Sequence, residues 1–415
     1  MAVEERIKGE DKHMIDEIVS RMHGYVIRDE HIPWRFVDRE AEVWNMVDEE
    51  GVVEGGWITV LYGPKGCGKS TFFRALSHAV DQIDAGLDIL IVERAGDIQR
   101  SILHLPKSLR RLARDITDHV SKIIKISPDK TRALISPPTT YRISQNDSWI
   151  EFDASPFHIV NEISYYIAYW YEIDRRIVIV LDDARIDDEE SLWRFRGWLE
   201  NFANIIREDN SVYMDRGGSI AVIALTGDAL VEEIRHIVGG KVNWALIWNL
   251  SRISSEELVS QMGLHHRVAG ELGVGVETSK EILWRLAGGN PRALRLIWER
   301  GLKEWLVDEI IGGIRGFAQD LPEDQRGEAL EKISERMDNV DDIAWTDPSI
   351  WKSMVKHNII IYIAAAKKIS EIPREPWIGR EYAFQIPAYY HILKAMAKKR
   401  SWEISPEEVI REAMA

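Results

Sequence analysis

Residues 57–71 read Trp57-Ile58-Thr59-Val60-Leu61-Tyr62-Gly63-Pro64-Lys65-Gly66-Cys67-Gly68-Lys69-Ser70-Thr71. The first six form a short apolar, β-rich run, and Ser70 to Ala79 carries apolar residues at helical spacing. The stretch predicts a strand, a glycine-rich loop and a helix in direct succession. Residues Gly63 to Thr71 fit the pattern G-x-x-x-x-G-K-[ST] in full. Glycines in such a loop let backbone N–H groups turn inward around phosphate oxygens, and the following helix offers its positive end to the same anion. Gly63, Pro64, Lys65, Gly66, Cys67, Gly68, Lys69, Ser70 and Thr71 are therefore the expected phosphate-binding residues. Lys69 would neutralise the β- and γ-phosphates, and Ser70 is the expected hydroxyl ligand to Mg²⁺, a hard, oxygen-seeking cation.

Outward from this loop, four more short apolar runs predict buried strands: Asp88 to Val92, Ile177 to Leu181, Ile220 to Leu225 and Trp244 to Leu250. Helical periodicity fills Pro156 to Tyr171 and Glu190 to Ile206, so the alternation predicts parallel strands with crossover helices, an α/β core. The run at 177–181 ends in Asp182-Asp183. Ligands of open α/β sheets bind at the carboxyl ends of strands. Asp182 is thus the expected water-mediated Mg²⁺ partner, and Asp183 the residue that orients or deprotonates an attacking water. No N-K-x-D tetrapeptide occurs to read guanine, which favours ATP.

Residues 1–30 predict one amphipathic helix, with Ile15, Ile18, Val19 and Met22 at helical spacing, and Asp38 predicts an N-cap for a second helix. A long excursion at about 95–155 includes a helical stripe of Leu109, Leu112, Ile116, Val120 and Ile123. From Arg100 to Arg132 there are nine Lys or Arg against three Asp, a local excess of +6 in a chain whose net charge is −15. A uniformly basic coat for nucleic acid is excluded; a local basic face with Arg110, Arg111 and Arg114 is not. Helices at about 254–263, 278–287, 291–303, 304–316 and 323–338 follow the core, and the tail mixes helix and strand. Within this region Gly288-Gly289 can end one helix, Asn290 can cap the next, and Pro291 suits its first turn.

Composition sets the outer bounds. With 45% hydrophobic and 29% charged residues the chain reads as globular rather than disordered. Cys67 is the single cysteine, so no intrachain disulfide can form, and no apolar run approaches the roughly 18 residues of a membrane span. The charged start shows no secretory signal, and a cytoplasmic location with no membrane partner is the expectation. The twelve histidines show no zinc-binding spacing.

Phe36-Val37-Asp38-Arg39-Glu40, the phosphate loop, the Asp182-Asp183 strand, Ala224-Leu225-Thr226-Gly227 and Gly288-Gly289-Asn290-Pro291-Arg292-Ala293-Leu294 occur in an order that resembles archaeal ATPases of the AAA+/STAND group, related to origin-recognition initiators. The resemblance covers about 31–302. It implies a P-loop ATPase core over 31–252, a helical lid and linker helices over 253–338 and a winged-helix-like domain over 339–415. It places Phe36, Val37 and Arg39 beside adenine, Thr226 at the sensor 1 position, Pro291 facing the base, and Arg292 at the sensor 2 position. Asp183 stands where many relatives carry the longer Glu, so slow hydrolysis is expected. In the tail, Ser349 to His357 would be a recognition helix and Ile359–Ile363 with Tyr382–Gln385 a wing, offering Lys352, Lys356 and Arg380 to phosphates. The same module could instead dock a protein partner. Arg235 and Arg252 are the candidates for an arginine acting in trans. The readings that follow are a nucleotide-driven switch, a DNA-binding initiator or regulator with ATP as allosteric ligand, and a protein-binding adaptor.

Overall fold

A computed structural model describes residues 2–415 except 29–32, 48–54, 84, 95–99, 127–140, 145, 173, 185–188, 228, 230, 324, 338, 345–346 and 365. The five apolar runs form parallel strands in one sheet, in the spatial order Asn243–Leu246, Ile58–Tyr62, Ser219–Thr226, Arg176–Leu181, Leu87–Arg94. Helices cover both faces, which is why these strands read as unbroken apolar runs rather than as alternating ones. The phosphate-loop strand is central and buried along its whole length. Its last residue, Tyr62, lies opposite both Thr226 and Leu246, so the carboxyl ends of three strands open at one level.

The last run is shorter than its apolar pattern. Strand pairing stops at Leu246: Ile247 still donates to the Tyr62 carbonyl at 3.0 Å, but Trp248 then donates its N–H to the Ser370 hydroxyl at 2.9 Å, and Leu250 donates to the carbonyl of Gly289 at 3.0 Å. The helix after the Asp182 strand is longer than expected, running Glu189–Met214. Its polar stretch at Asp209 and Asn210 is buried but satisfied. Ser164 donates to Asp209 at 2.7 Å, and Asn210 accepts the Ile220 N–H at 2.7 Å.

The excursion does more than carry a helix. Ser101–His104, Trp149–Phe152 and Tyr141–Ile143 add three antiparallel strands to the edge of the sheet beyond Leu87–Arg94. Between the first and the other two of these strands, a 3₁₀ turn, Lys107–Leu112, buries Leu109 and leads into the helix Ala113–Ile126, which buries Ile116 and Val120. Residues 95–99 and 127–140 of the excursion, and the Ile123 side chain, lie outside the described residues. At the N-terminus, the helix Ala2–His23 buries Ile15, Ile18 and Met22 against the helix Lys69–Val80. Asp38 does not take the extended N-cap conformation: it has φ +61, and Arg39 has φ +82. Its carboxylate bonds instead to Ser254 and to backbone groups of Arg39 and Ser251.

After residue 251 come four short helices, Arg252–Gln261, Leu264–Leu272, Val276–Ala287 and Pro291–Arg300. Gly288 ends the third in a left-handed conformation, and the Asn290 side chain caps the fourth by accepting the Ala293 N–H at 3.0 Å. The chain continues through Leu302–Trp305, a π-helical turn at Leu306–Ile311 and the helix Gly312–Asp320. The tail brings together the helix Pro348–Lys356, an antiparallel pair Ile360–Tyr362 with Tyr382–Phe384, and the helix Pro387–Lys399. The segment between those paired strands is not a free wing. Lys367–Lys368 joins the central sheet as a short parallel edge strand beside Asn243–Leu246, and Ile369 accepts a bond from Asn45 at 3.0 Å. Among the described residues no helix is long and apolar enough to cross a membrane.

The tail is also fastened to the core at Glu232, which accepts from the Tyr382 hydroxyl at 3.0 Å. Burial pushes its carboxyl up to about 7, against the opposing pull of Tyr382 and Arg235. In an unfolded chain it would ionise near 4.5. Between these values the folded state holds a proton the unfolded state has released, so stability falls as pH rises through this window and levels off above it. Thermal unfolding followed from pH 5 to 8 should show this decline, and Glu232→Gln should flatten it; an unchanged slope in the variant would contradict the assignment.

Candidate functional site

The phosphate loop is shaped by backbone conformations that only glycine adopts without strain. Gly66 has φ +85 and Gly68 has φ +98, and a Cβ on Gly66 would come within 2.4 Å of the Arg292 Cβ. Gly68 is the N-cap of the helix Lys69–Val80 and brings no side chain to cap it. The first amides of that helix therefore face the cleft without a side-chain cap, an anion site in waiting. The Lys69 ammonium, almost fully buried, lies back over the loop and donates to the carbonyls of Gly63 (3.0 Å) and Pro64 (3.1 Å).

Ser70 and Asp182 are 112 residues apart in sequence and joined in space, the hydroxyl donating to the carboxylate Oδ1 at 2.6 Å. Burial raises the pKa of Asp182, with Ser70 and Arg74 pulling the other way. Arg74, one turn beyond Ser70, donates to Glu93 at 2.7 and 3.1 Å and stands 3.6 Å from Asp182. Burial would raise Glu93 too, but His104 and Arg74 outweigh it and hold the group at about 2. The donor set fits a divalent cation: a buried carboxylate, a hydroxyl and a second carboxylate nearby, all oxygen ligands.

These groups line a cleft of about 860 Å³ between the strand ends and the four-helix segment. Phe36, Val37, Trp34, Leu250 and Leu258 make an apolar part of its wall, and Pro291, Arg292 and Arg295 close it from the helical side. Arg292 ties that side to the loop by donating its backbone N–H to the carbonyl of Gly66 at 3.2 Å. Thr226 sits buried on the wall at the strand end, and exposed Asp183 stands at its rim with φ +57.

Arg39 touches this cleft, but its guanidinium is committed elsewhere. It donates to Glu42 (2.6 Å), to the carbonyl of Trp248 (2.9 Å) and to that of Cys67 (2.5 Å), bracing the loop from behind. Glu42 also accepts from Ser370 at 2.8 Å, so this brace reaches the tail.

Arg74, Glu93, Arg295 and Asn358 line the cleft without having been singled out in the sequence. Two had a signal: Arg74 is one helical turn after Ser70, and Glu93 directly follows a predicted strand, as Asp182 does. The proposed phosphate-contacting residues of the periphery do not line the cleft. Arg111 and Arg114 are exposed near the sheet extension, while Arg110 leans on the Leu105 carbonyl and stands 3.9 Å from Asp81. Lys352 is exposed, and Lys356 is paired with Asp320 at 2.7 Å. The two arginines considered for action in trans differ in exposure, Arg235 being buried and Arg252 exposed. Arg235 is buried with its guanidinium 4.4 Å from the Tyr362 ring centre, and Arg252 is held by Glu256 and Glu281.

A central phosphate-loop strand flanked by parallel strands, an acidic strand end one strand away and a helical segment over the cleft define a P-loop ATPase of the AAA+ type. Residues 36–297 match the model of an ATPase domain found predominantly in Archaea, and the chain belongs to that family. No curated protein sequence matches it. Among solved structures, the Aeropyrum pernix Orc1 protein in complex with DNA aligns over 89% of this chain and 94% of that one, at 10% identity and a TM-score of 0.32. Drosophila ORC bound to DNA aligns over 79% and 88%, at 10% identity and a TM-score of 0.31.

Because Arg39 is buried and triply bonded, Arg39→Ala should lower unfolding stability by about 3–5 kcal/mol in urea, the cost of stranding Glu42. Arg39→Lys should recover little of it, since one ammonium cannot reach all three acceptors.

Proposed function

We propose that the chain binds ATP with Mg²⁺ in this cleft, hydrolyses it slowly, and uses the change to move the helical lid against the tail. The observation that carries the reading is the Ser70–Asp182 bond of 2.6 Å at the mouth of the loop. It brings together the two groups that a phosphate-bound cation requires. When bound, Mg²⁺ would offset charge on the β- and γ-phosphates and hold them in register. The amides of the loop receive phosphate oxygens, and Lys69 exchanges the carbonyls of Gly63 and Pro64 for them, gaining charge-assisted bonds. The apolar wall of Phe36, Val37 and Trp34 receives the adenine, with Pro291 on the opposite side. Asp183 orients the attacking water, its short side chain accounting for a slow rate. Thr226 supplies a hydroxyl near the γ-phosphate, and Arg292 senses whether that phosphate is present.

The relay has a physical route. Gly288, at the hinge between two lid helices, packs on Pro387 so closely that a Cβ there would come within 2.5 Å. Arg285 of the same lid donates to the Ala413 carbonyl at 2.8 Å. A lid that turns must carry the tail helices with it. Exposed Arg111 and Arg114 favour a second reading, nucleic-acid binding at the sheet extension.

Phosphate release with MgATP should be measurable in the wild type and fall at least ~100-fold in Lys69→Ala and Asp182→Asn, with loss on chelation of Mg²⁺. Equal turnover in wild type and Lys69→Ala would defeat the enzymatic reading. Duplex DNA binding should decline steeply with added salt and weaken in a double Arg111→Ala, Arg114→Ala variant if the second reading holds; no binding at low salt would remove it.

A further inference from the structure

The peptide of Lys65, inside the phosphate loop, is gripped on both sides by side chains from outside the core. Its N–H donates to Gln385 Oε1 at 2.8 Å, and its carbonyl accepts from Asn290 Nδ2 at 3.1 Å. The two grips are joined to each other. Asn290 donates to Asn249 Oδ1 at 2.9 Å, and Asn249 donates to the backbone carbonyl of Gln385 at 3.0 Å. A closed ring results, with one member each from the loop, the tail, the end of the last core strand and the lid. Gln385 extends it further: its Nε2 donates to Asn358 at 3.2 Å, and Asn358 accepts the Ala229 N–H at 3.0 Å just past the Thr226 strand.

Gln385, Asn249 and Asn290 are 1%, 4% and 0% exposed. Buried amides of this kind are stable only when their partners are all in place, because each lost bond leaves a desolvated polar group behind. The ring therefore favours one arrangement of tail, lid and loop over others. Lys65 directly precedes Gly66, whose positive φ turns the loop inward, so pinning the Lys65 peptide sets the direction of the amides that follow.

We propose that Gln385 is a positioning residue of the nucleotide site: the tail completes the phosphate loop directly, through the Lys65 N–H, rather than only sensing it through the lid. The inference rests on the reading of the cleft as an ATP site. By reciprocity, a contact through which the tail improves nucleotide binding must also be one through which nucleotide stabilises the tail.

The test uses the full chain and Gln385→Met, which keeps the volume and removes the acceptor and donor. MgATP and MgADP binding by calorimetry should weaken by about 5- to 30-fold in the variant. Hydrogen exchange in residues 359–386, slowed by MgATP in the wild type, should no longer respond in the variant at saturating MgATP, while residues 63–71 still do. A purely structural role would lower the melting temperature without nucleotide yet leave affinity and the exchange response unchanged, and that result overturns the inference. Should Gln385→Met not fold, Asn358→Leu removes the outer partner of Gln385 and should weaken MgATP binding about 2- to 5-fold; an unchanged affinity there overturns it equally. Absence of MgATP binding by the wild type is a different failure, since it removes the ATP-site reading itself and this inference with it.

Discussion

The bond between Ser70 and Asp182 exists because the parallel strands of the sheet end close together on one side of it. Tyr62 lies opposite Thr226, and Leu181 lies opposite Ala224, two residues before that strand ends, so Asp182 enters the cleft beside the end of the Thr226 strand. Parallel register is set by evenly spaced backbone bonds along buried strands, and a slip of one residue would turn every side chain to the other face. The first residues of the loop, the acidic strand end and the threonine of the neighbouring strand are thus positioned by the sheet, not by each other. Every proposed role in the cleft presupposes this alignment.

Around that alignment the chain adds unequal supports. Behind the loop, Arg39 ties the Cys67 carbonyl to Trp248 and Glu42, and Ser370 secures Glu42 in turn. In front, Asn290 and the backbone of Arg292 hold Lys65 and Gly66. The tail meets the loop directly through Gln385 and braces it from behind through Ser370 on Glu42, and its Lys367–Lys368 strand widens the sheet. These polar contacts are directional and so favour one arrangement of tail and loop over others. The apolar half of the association lies where lid and tail helices pack on each other, as at Gly288 and Pro387.

Much of the core could be read from local pattern. The five strands appear as apolar runs because both of their faces are covered, and the helix junction at Gly288–Pro291 announces itself through residues that each have one conformational use. Patterns with a weaker local signature were lost. The strands of the sheet extension are three or four residues long and bury one face only, as in Ser101–His104 and Trp149–Phe152. The end of the helix Glu189–Met214 was hidden by Asp209 and Asn210, which look like surface residues until Ser164 and Ile220 are seen to satisfy them. Arg39 lines the cleft with its guanidinium spent on the carbonyls of Cys67 and Trp248, acceptors that leave no trace in side-chain identity.

The amino-acid sequence alone determined the phosphate loop, the alternation of strand and helix, the acidic strand end and the capped lid junction. Each depends on residues within a few positions of one another, where spacing and backbone preference act directly. Tertiary structure decided which side chains surround the Lys65 peptide, where the tail joins the sheet and which arginines are spent on structure. Those outcomes are hydrogen bonds between groups as far apart as Lys65 and Gln385, and only the packing of the sheet and its helices brings such groups within reach.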